Sequence, residues 1–336
     1  MTPASAGGTL HVPIDHHSAV QTAADQARAL AWQCRMPGAL PDQAAVLASE
    51  LASNISKHAY DGAVFLQPSP LERGLDVIAV DQGPGIGDIG LSLTDGFSTT
   101  RTLGAGLGAV HRIATAFTIR SDAGHGTLAH AQLRAPHAPR PPADVGALCL
   151  PADGQTACGD GYALAEHDDV RTGLVIDGLG HGPDAAEATQ RALRTFHSCS
   201  DAPLPDIISA LHRALRHTRG AAAAAIRTAA GTAEYCGVGN IRAAVLTPQG
   251  VHRQLTGDAG IVGYHHPRTV SRTFALPRHA RVVLYTDGID PRWTHTPSTV
   301  QLRLPPTLLA ASLVHTRRRS RDDATVLVLG PHPGTP

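Results

Sequence analysis

The chain has 336 residues, with 28 Lys and Arg balanced by 28 Asp and Glu. A formal charge of zero argues against nucleic acid or an anionic membrane surface as the main partner. At 42% hydrophobic and 17% charged, the composition is that of a folded globular protein, and the length exceeds what one core usually serves, so two domains are expected.

Cys34, Cys149, Cys158, Cys199 and Cys236 are scattered, without paired ligand spacing and in odd number. That suits a reducing compartment better than a disulfide framework or a zinc site. The N-terminus lacks a basic segment followed by an apolar core, and no run approaches the ~20 apolar residues of a membrane span. A cytoplasmic protein is expected.

In chain order, SAVQTAADQARALAWQC predicts a helix stopped before Pro37, and PDQAAVLASELASNISKHA predicts a second, opened by Pro41 and Asp42. GLDVIAVD reads as a strand running straight into the glycine turn QGPGIG. Beyond a lid-like loop, GAGLGAVHRIATAF predicts a helix that starts in glycines, and TIRSDAGHGTLAHAQL a closing hairpin. Glu50, Asn54 and Lys57, the only lysine, are spaced four and three apart and share one helix face. An amide oxygen there can complete a Mg2+ shell, and a carboxylate one turn away can orient or deprotonate a hydroxyl or water. Asp81, at the strand end, can accept from an exocyclic amine. The amides opening the later helix suit phosphate oxygens. The glycine spacing is neither a Walker A loop nor a dinucleotide fingerprint.

Taken together, ELASNISKHA, DQGPGIGDI, DGFSTTRTLGAGLGAVHRI and SDAGHGT resemble the N, G1 and G2 boxes and terminal Gly-Thr of GHKL-type ATPases. The likeness is greatest to the RsbT-type switch serine kinases and covers about residues 10–133. It implies a Bergerat α/β sandwich that binds ATP and Mg2+. Asn54 would be the Mg2+ ligand, Asp81 the adenine reader and Glu50 the candidate general base. Gly83, Gly85, Gly104, Gly106 and Gly108 would line the nucleotide pocket, with Arg101 in the lid and Thr127 near the base. Ser53 stands where switch kinases often carry arginine, which departs from the pattern.

Four prolines between Pro136 and Pro142 break regular structure and predict an extended linker. The expected organisation is residues 1–135, a linker over 136–145, and a second domain over 146–332.

In that domain CGDGYALAE, LVIDGLGHG, VVLYTDGID and RDDATVLVL each put an aspartate at the edge of an apolar run. Asp160, Asp177, Asp287 and Asp322 would repel one another if gathered, unless cations neutralise them. All-oxygen donors point to Mg2+ or Mn2+ rather than zinc. Two such ions can activate water without a side-chain nucleophile, and the domain offers neither a nucleophile elbow nor a phosphatase cysteine loop.

GDGY, DGLGHG, TDGI and DDAT resemble the ordered motifs of PPM-type Ser/Thr protein phosphatases of the SpoIIE branch, in the compact RsbX-like form. GVGNIRAAVL resembles that family's central strand pair. The resemblance implies an αββα sandwich, so the whole chain is expected to be α+β in two domains. It also implies two Mn2+ or Mg2+ ions held by Asp160, Asp177, the Gly178 carbonyl, Asp287 and Asp322, with Asp323 an alternative to Asp322. TGDAGIVGY departs from the proline-leucine-glycine turn common in the branch.

The joint expectation is a phospho-switch regulator that phosphorylates and dephosphorylates a protein partner, by analogy a STAS-domain antagonist. Two rivals make the first domain a non-catalytic module that binds ATP and a partner, or a module that sequesters a sigma factor. His16-His17, His265-His266 and the basic cluster TRRRSRDD are read as solvated surface. The alanine run Ala221–Ala225 is expected to open a buried strand.

Overall fold

The structure, a computed structural model, describes residues 8–70, 74–92, 106–124, 126–136, 144–265 and 269–330. Arg101, Gly104, the expected lid and most of the proline-rich linker lie outside the described residues. The chain divides into two compact units, Thr9–Pro141 on the one hand and Met1–Gly8 with Pro142–Pro336 on the other.

In the unit Thr9–Pro141, β1 (Leu10–Pro13), β2 (Ala63–Pro68), β3 (Gly74–Val80), β4 (Ala116–Asp122) and β5 (Gly126–Arg134) form one sheet. All its pairs are antiparallel, in the order β1-β2-β3-β5-β4. Helices α1 (Ser18–Gln33) and α2 (Leu40–His58) cover one face; α3 (Ile89–Ser92) and α4 (Gly106–Ile113) follow the glycine turn. On α2, Leu47, Ala48, Leu51, Ala52 and Ile55 recur at helical spacing and are buried with Val64, Leu66, Leu75, Val77 and Ala79 of the sheet. Pro41 sits in the first turn of α2, where its missing N–H costs nothing. Strand β2 was not set apart in the sequence because AVFLQP does not alternate: Ala63 to Gln67 are all buried.

The second unit holds two five-stranded sheets. One has the order β13-β10-β9-β8-β7, from β7 (Asp160–His167), β8 (Val170–Gly178), β9 (Ala221–Ala229), β10 (Thr232–Val238) and β13 (Arg272–Ala275). The other has the order β12-β11-β14-β15-β6, from β6 (Val145–Leu150), β11 (Arg242–Thr247), β12 (Gly250–Thr256), β14 (Arg281–Tyr285) and β15 (Ala324–Leu329). Helices α5 (Pro183–Cys199) and α6 (Leu204–Leu215) flank the first sheet, and α7 (Pro306–Arg317) flanks the second. The sheets meet face to face: a Cβ placed on Gly173 of β8 would touch Leu327 Cδ2 of β15 at 3.0 Å. This is the expected αββα sandwich.

The alanine run is the start of β9, with all five residues buried. Ala221, Ala223 and Ala225 pack with Phe196, Leu211 and Leu215 of the helices, and their small side chains let α5 and α6 settle close to the sheet. Among the described residues no helix is long and apolar enough to cross a membrane.

Candidate functional sites on the two units

In the first unit the turn after β3 is built around Asp81. Its Oδ1 accepts the backbone N–H of Gly83 at 2.8 Å and of Thr127 at 3.2 Å, while its own N–H donates to the Thr127 carbonyl at 3.0 Å. Asp81 and Thr127, 46 residues apart, are thereby locked together. Ser121 completes the turn: its hydroxyl accepts from the Ile86 N–H at 2.7 Å and lies 3.0 Å from Thr127 Oγ1. Gly85 takes φ +82°, and a side chain there would drive into the Asp122 carbonyl. The sequence reading missed Ser121, since a serine in a strand carries no signal of its own.

Glu50 and Asn54 lie half-buried on the face of α2, away from its core residues. Burial pushes the Glu50 carboxyl up, and Lys57 on the same face partly opposes this. That is the direction a general base requires. Asn54 Nδ2 is buried with no hydrogen-bond partner among the described residues, which leaves a polar group for a ligand to satisfy. A Cβ on Gly106, at the start of α4, would meet nothing within 4 Å among the described residues, while Gly108 is buried inside that helix. Leu107 and Val110 of α4, Ile86 of the turn and Leu51 and Ile55 of α2 share one hydrophobic cluster, so these pieces pack together. An orphaned N–H donor, which suits a phosphate oxygen, and a carboxylate fixed in the turn, which suits an amine, fit a nucleotide such as ATP.

In the second unit Asp160 opens β7 and Asp177 lies near the end of β8, directly opposite each other in the register. Asp287 follows β14 by two residues and Asp322 precedes β15 by two, so all four aspartates reach the same rim of the sandwich. Burial pushes the Asp177 carboxyl up to about 7, reinforced by Asp287 and Asp322. Asp160 is raised well above the usual range by burial and then by Asp177. Asp322 is raised by desolvation and by Asp287. Among the described residues no three His, Cys, Asp or Glu side chains are already closed round one ion-sized space. The four are neighbours that repel across a gap, and an all-oxygen set under mutual repulsion fits a pair of hard divalent cations.

Asp322 and Asp323 have different surroundings. Asp323 is buried, and its two oxygens accept the backbone N–H of Ala152 at 2.7 Å and of Gly159 at 2.8 Å. Asp322 is more exposed and accepts from the Asp323 N–H at 3.0 Å. Gly178 donates its N–H to the Gly159 carbonyl at 3.0 Å, and a Cβ there would strike the Ala185 carbonyl. Two further residues went unread in the sequence. Asn240 donates to Asp287 Oδ2 at 2.8 Å and also lowers Asp177, so it steadies both carboxylates. Thr286 donates to Asp160 Oδ2 at 2.7 Å. Thr286 directly precedes Asp287 in YTDGI, and Asn240 stands in the turn before β11; both positions could have been suspected from their place at the same rim.

These features define a GHKL-type α/β sandwich joined to a PPM-type αββα sandwich. Residues 168–332, just under half of the chain, match the family described as stage II sporulation protein E (SpoIIE). Its N-terminal part is 47% identical over 81 residues to the serine/threonine-protein kinase RsbT of Bacillus subtilis (strain 168). That match takes in 24% of this chain and 61% of the length of RsbT. A solved structure described under "The bacterial stressosome: a modular system that has been adapted to control secondary messenger signaling" is 30% identical. It covers 55% of this chain and 97% of its own, with a TM-score of 0.51. RsbX in complex with magnesium is 21% identical at a TM-score of 0.48, covering 57% of this chain and 98% of its own. The chain is thus a fusion of an RsbT-like domain with a SpoIIE-type phosphatase domain.

Proposed function

We propose that the chain is a bifunctional phospho-switch regulator acting in partner switching. The RsbT-like unit transfers the γ-phosphoryl group of ATP to a Ser or Thr of a protein partner, and the SpoIIE-type unit hydrolyses a phosphoserine or phosphothreonine. The observation that supports this most is the coexistence on one chain of two chemically distinct sites. One is an aspartate-centred turn with the orphaned amide of Asn54, and the other a rim of four repelling carboxylates.

In the first unit Asp81 would accept from the adenine amine, Asn54 would hold Mg2+ and Glu50, raised by burial, would take the proton of the attacking hydroxyl. Arg101 and Gly104 are proposed for the phosphates on the strength of the RsbT likeness. In the second unit Asp160, Asp177, the Gly178 carbonyl, Asp287 and Asp322 would hold two Mn2+ or Mg2+ ions, which supply an activated water and charge for the phosphoryl oxygens. Asn240 and Thr286 would keep Asp287 and Asp160 in place. The partner is proposed to be a STAS-domain protein of a sigma-factor pathway, met in the cytoplasm. Joining opposed activities is sensible if both meet one substrate, because the connection raises effective concentration.

The test is direct. A purified STAS-domain protein is incubated with Mg-ATP and the Asp177→Asn variant, and its intact mass is followed. Gain of one phosphate, absent with Glu50→Gln and reversed on adding wild type with Mn2+, is the expected result. No gain with either wild type or Asp177→Asn overturns the kinase half. Ser53, in place of the arginine common in switch kinases, favours a second reading. In that reading the first unit binds ATP and a partner without turnover and regulates the phosphatase, and Glu50→Ala then leaves signalling intact.

A further inference from the structure

Beside the carboxylate rim, but outside its ligand set, two thiols meet. Cys149 is buried on β6 and Cys158 is partly exposed on the loop entering β7. Their sulfurs lie 3.5 Å apart, and the two residues are nine positions apart in the sequence. Cys149 Sγ also lies 3.5 Å from the backbone carbonyl of Asp160. Between Cys158 and Asp160 stands Gly159, which donates its N–H to Asp323 and accepts from the Gly178 N–H and the Thr189 hydroxyl. The thiol pair is therefore wired to the backbone that carries Asp160 and Gly178. None of the five cysteines is in a disulfide.

We propose that Cys149 and Cys158 form a reversible thiol–disulfide site, oxidised by a peroxide, whose closure shifts the Asp160 end of the carboxylate rim. The chemistry balances. One sulfur attacks the peroxide, an S–O bond forms, the O–O bond breaks and water leaves. The second sulfur then attacks the sulfenic acid, the S–S bond forms and a second water leaves with the remaining thiol proton. Two electrons pass from the sulfurs to the peroxide, and two thiols with one hydrogen peroxide give one disulfide and two waters.

Bonding requires the sulfurs to approach from 3.5 Å to about 2.0 Å. Cys149 is buried within a strand and paired with Thr325 of β15, so the loop bearing Cys158 makes most of the movement. Gly159 moves with it and pulls on its bonds to Asp323 and Gly178, which displaces Asp160.

The link to hydrolysis rests on the phosphatase reading; the thiol pair itself does not. The full chain is treated with hydrogen peroxide, quenched with iodoacetamide, digested and mapped without reduction. A cross-linked peptide joining Cys149 and Cys158, reversed by dithiothreitol, is expected, with Cys34 and Cys199 alkylated. Hydrolysis of p-nitrophenyl phosphate with Mn2+ should fall about tenfold on oxidation and return on reduction. Cys158→Ser should keep the reduced activity and lose the response to peroxide; Cys149→Ala serves if that variant misfolds. Separate alkylation of both thiols, or a cross-link with no change at the rim, overturns the proposal. If the reduced protein hydrolyses nothing, the Mn2+-induced rise in melting temperature becomes the readout, and its persistence after cross-linking is equally fatal.

Discussion

The Thr286 hydroxyl donates to Asp160 Oδ2 at 2.7 Å, tying the end of β14 to the start of β7 in the opposite sheet. Thr286 Oγ1 also accepts the Thr325 N–H at 2.9 Å, so one side chain satisfies a buried carboxylate and a buried amide. Valine has the same shape and can do neither. Thr286→Val should cost about 1–3 kcal/mol in urea unfolding and weaken Mn2+ binding about tenfold, while Thr286→Ser restores both. An unchanged unfolding midpoint would mean the bond contributes nothing.

Asp322 and Asp323 should part company on substitution. Asp323 accepts two backbone N–H groups, and an asparagine in its place can accept only with its single oxygen. Asp323→Asn is expected to destabilise by about 1–3 kcal/mol whether or not cations are present. Asp322→Asn and Asp177→Asn remove repulsion, so each should raise the melting temperature of cation-free protein and shrink the gain that Mn2+ gives. Both should also abolish phosphatase turnover. A cation-free melting temperature that falls in Asp177→Asn would show that repulsion at the rim is not what Mn2+ relieves.

Asp81→Asn separates folding from nucleotide reading in the first unit. Both backbone donors to Asp81 converge on Oδ1, and an asparagine oxygen can keep them. What changes is the other position, which becomes an N–H donor where, on the proposed reading, the adenine amine also donates. Titration calorimetry should find ATP affinity reduced about a hundredfold with the melting temperature nearly unchanged. Binding of equal strength would remove Asp81 from the adenine site.

Much of this architecture was legible because its signals are local. Pro41 opens α2, the glycines after Asp81 declare a turn, and four aspartates at strand edges announce a common rim. The alanine run of β9 was readable from its neighbours despite alanine's preference for helix. What stayed hidden depends on pairs that only tertiary folding makes. Strand β2 lacks alternation because both its faces are buried. Adjacent Asp322 and Asp323 are chemically equal until the Ala152 and Gly159 amides choose one of them. Cys149 and Cys158 look scattered in sequence and meet only because β6 and the approach to β7 come together from the two facing sheets.

Acid should unfold the first unit partly through Asp76. Burial alone would raise this carboxyl, but His130 at 3.2 Å and hydrogen bonds from Ser69 at 2.8 Å and Gln132 at 3.0 Å outweigh it. Asp76 is therefore held below the usual carboxylate range. A carboxylate lowered by folding adds stability above its unfolded value, about 3.9, and loses it as pH falls through the folded value. Removing His130 leaves the buried carboxylate with Ser69 and Gln132 alone. His130→Ala should then cost about 1–3 kcal/mol at pH 7 and move the acid-unfolding midpoint to higher pH. Asp76→Asn in the same background should recover much of that loss, because the uncompensated charge is gone. Circular dichroism across pH 2 to 7 reads both effects, and coincident acid transitions for wild type and His130→Ala would show that His130 does not hold the Asp76 charge.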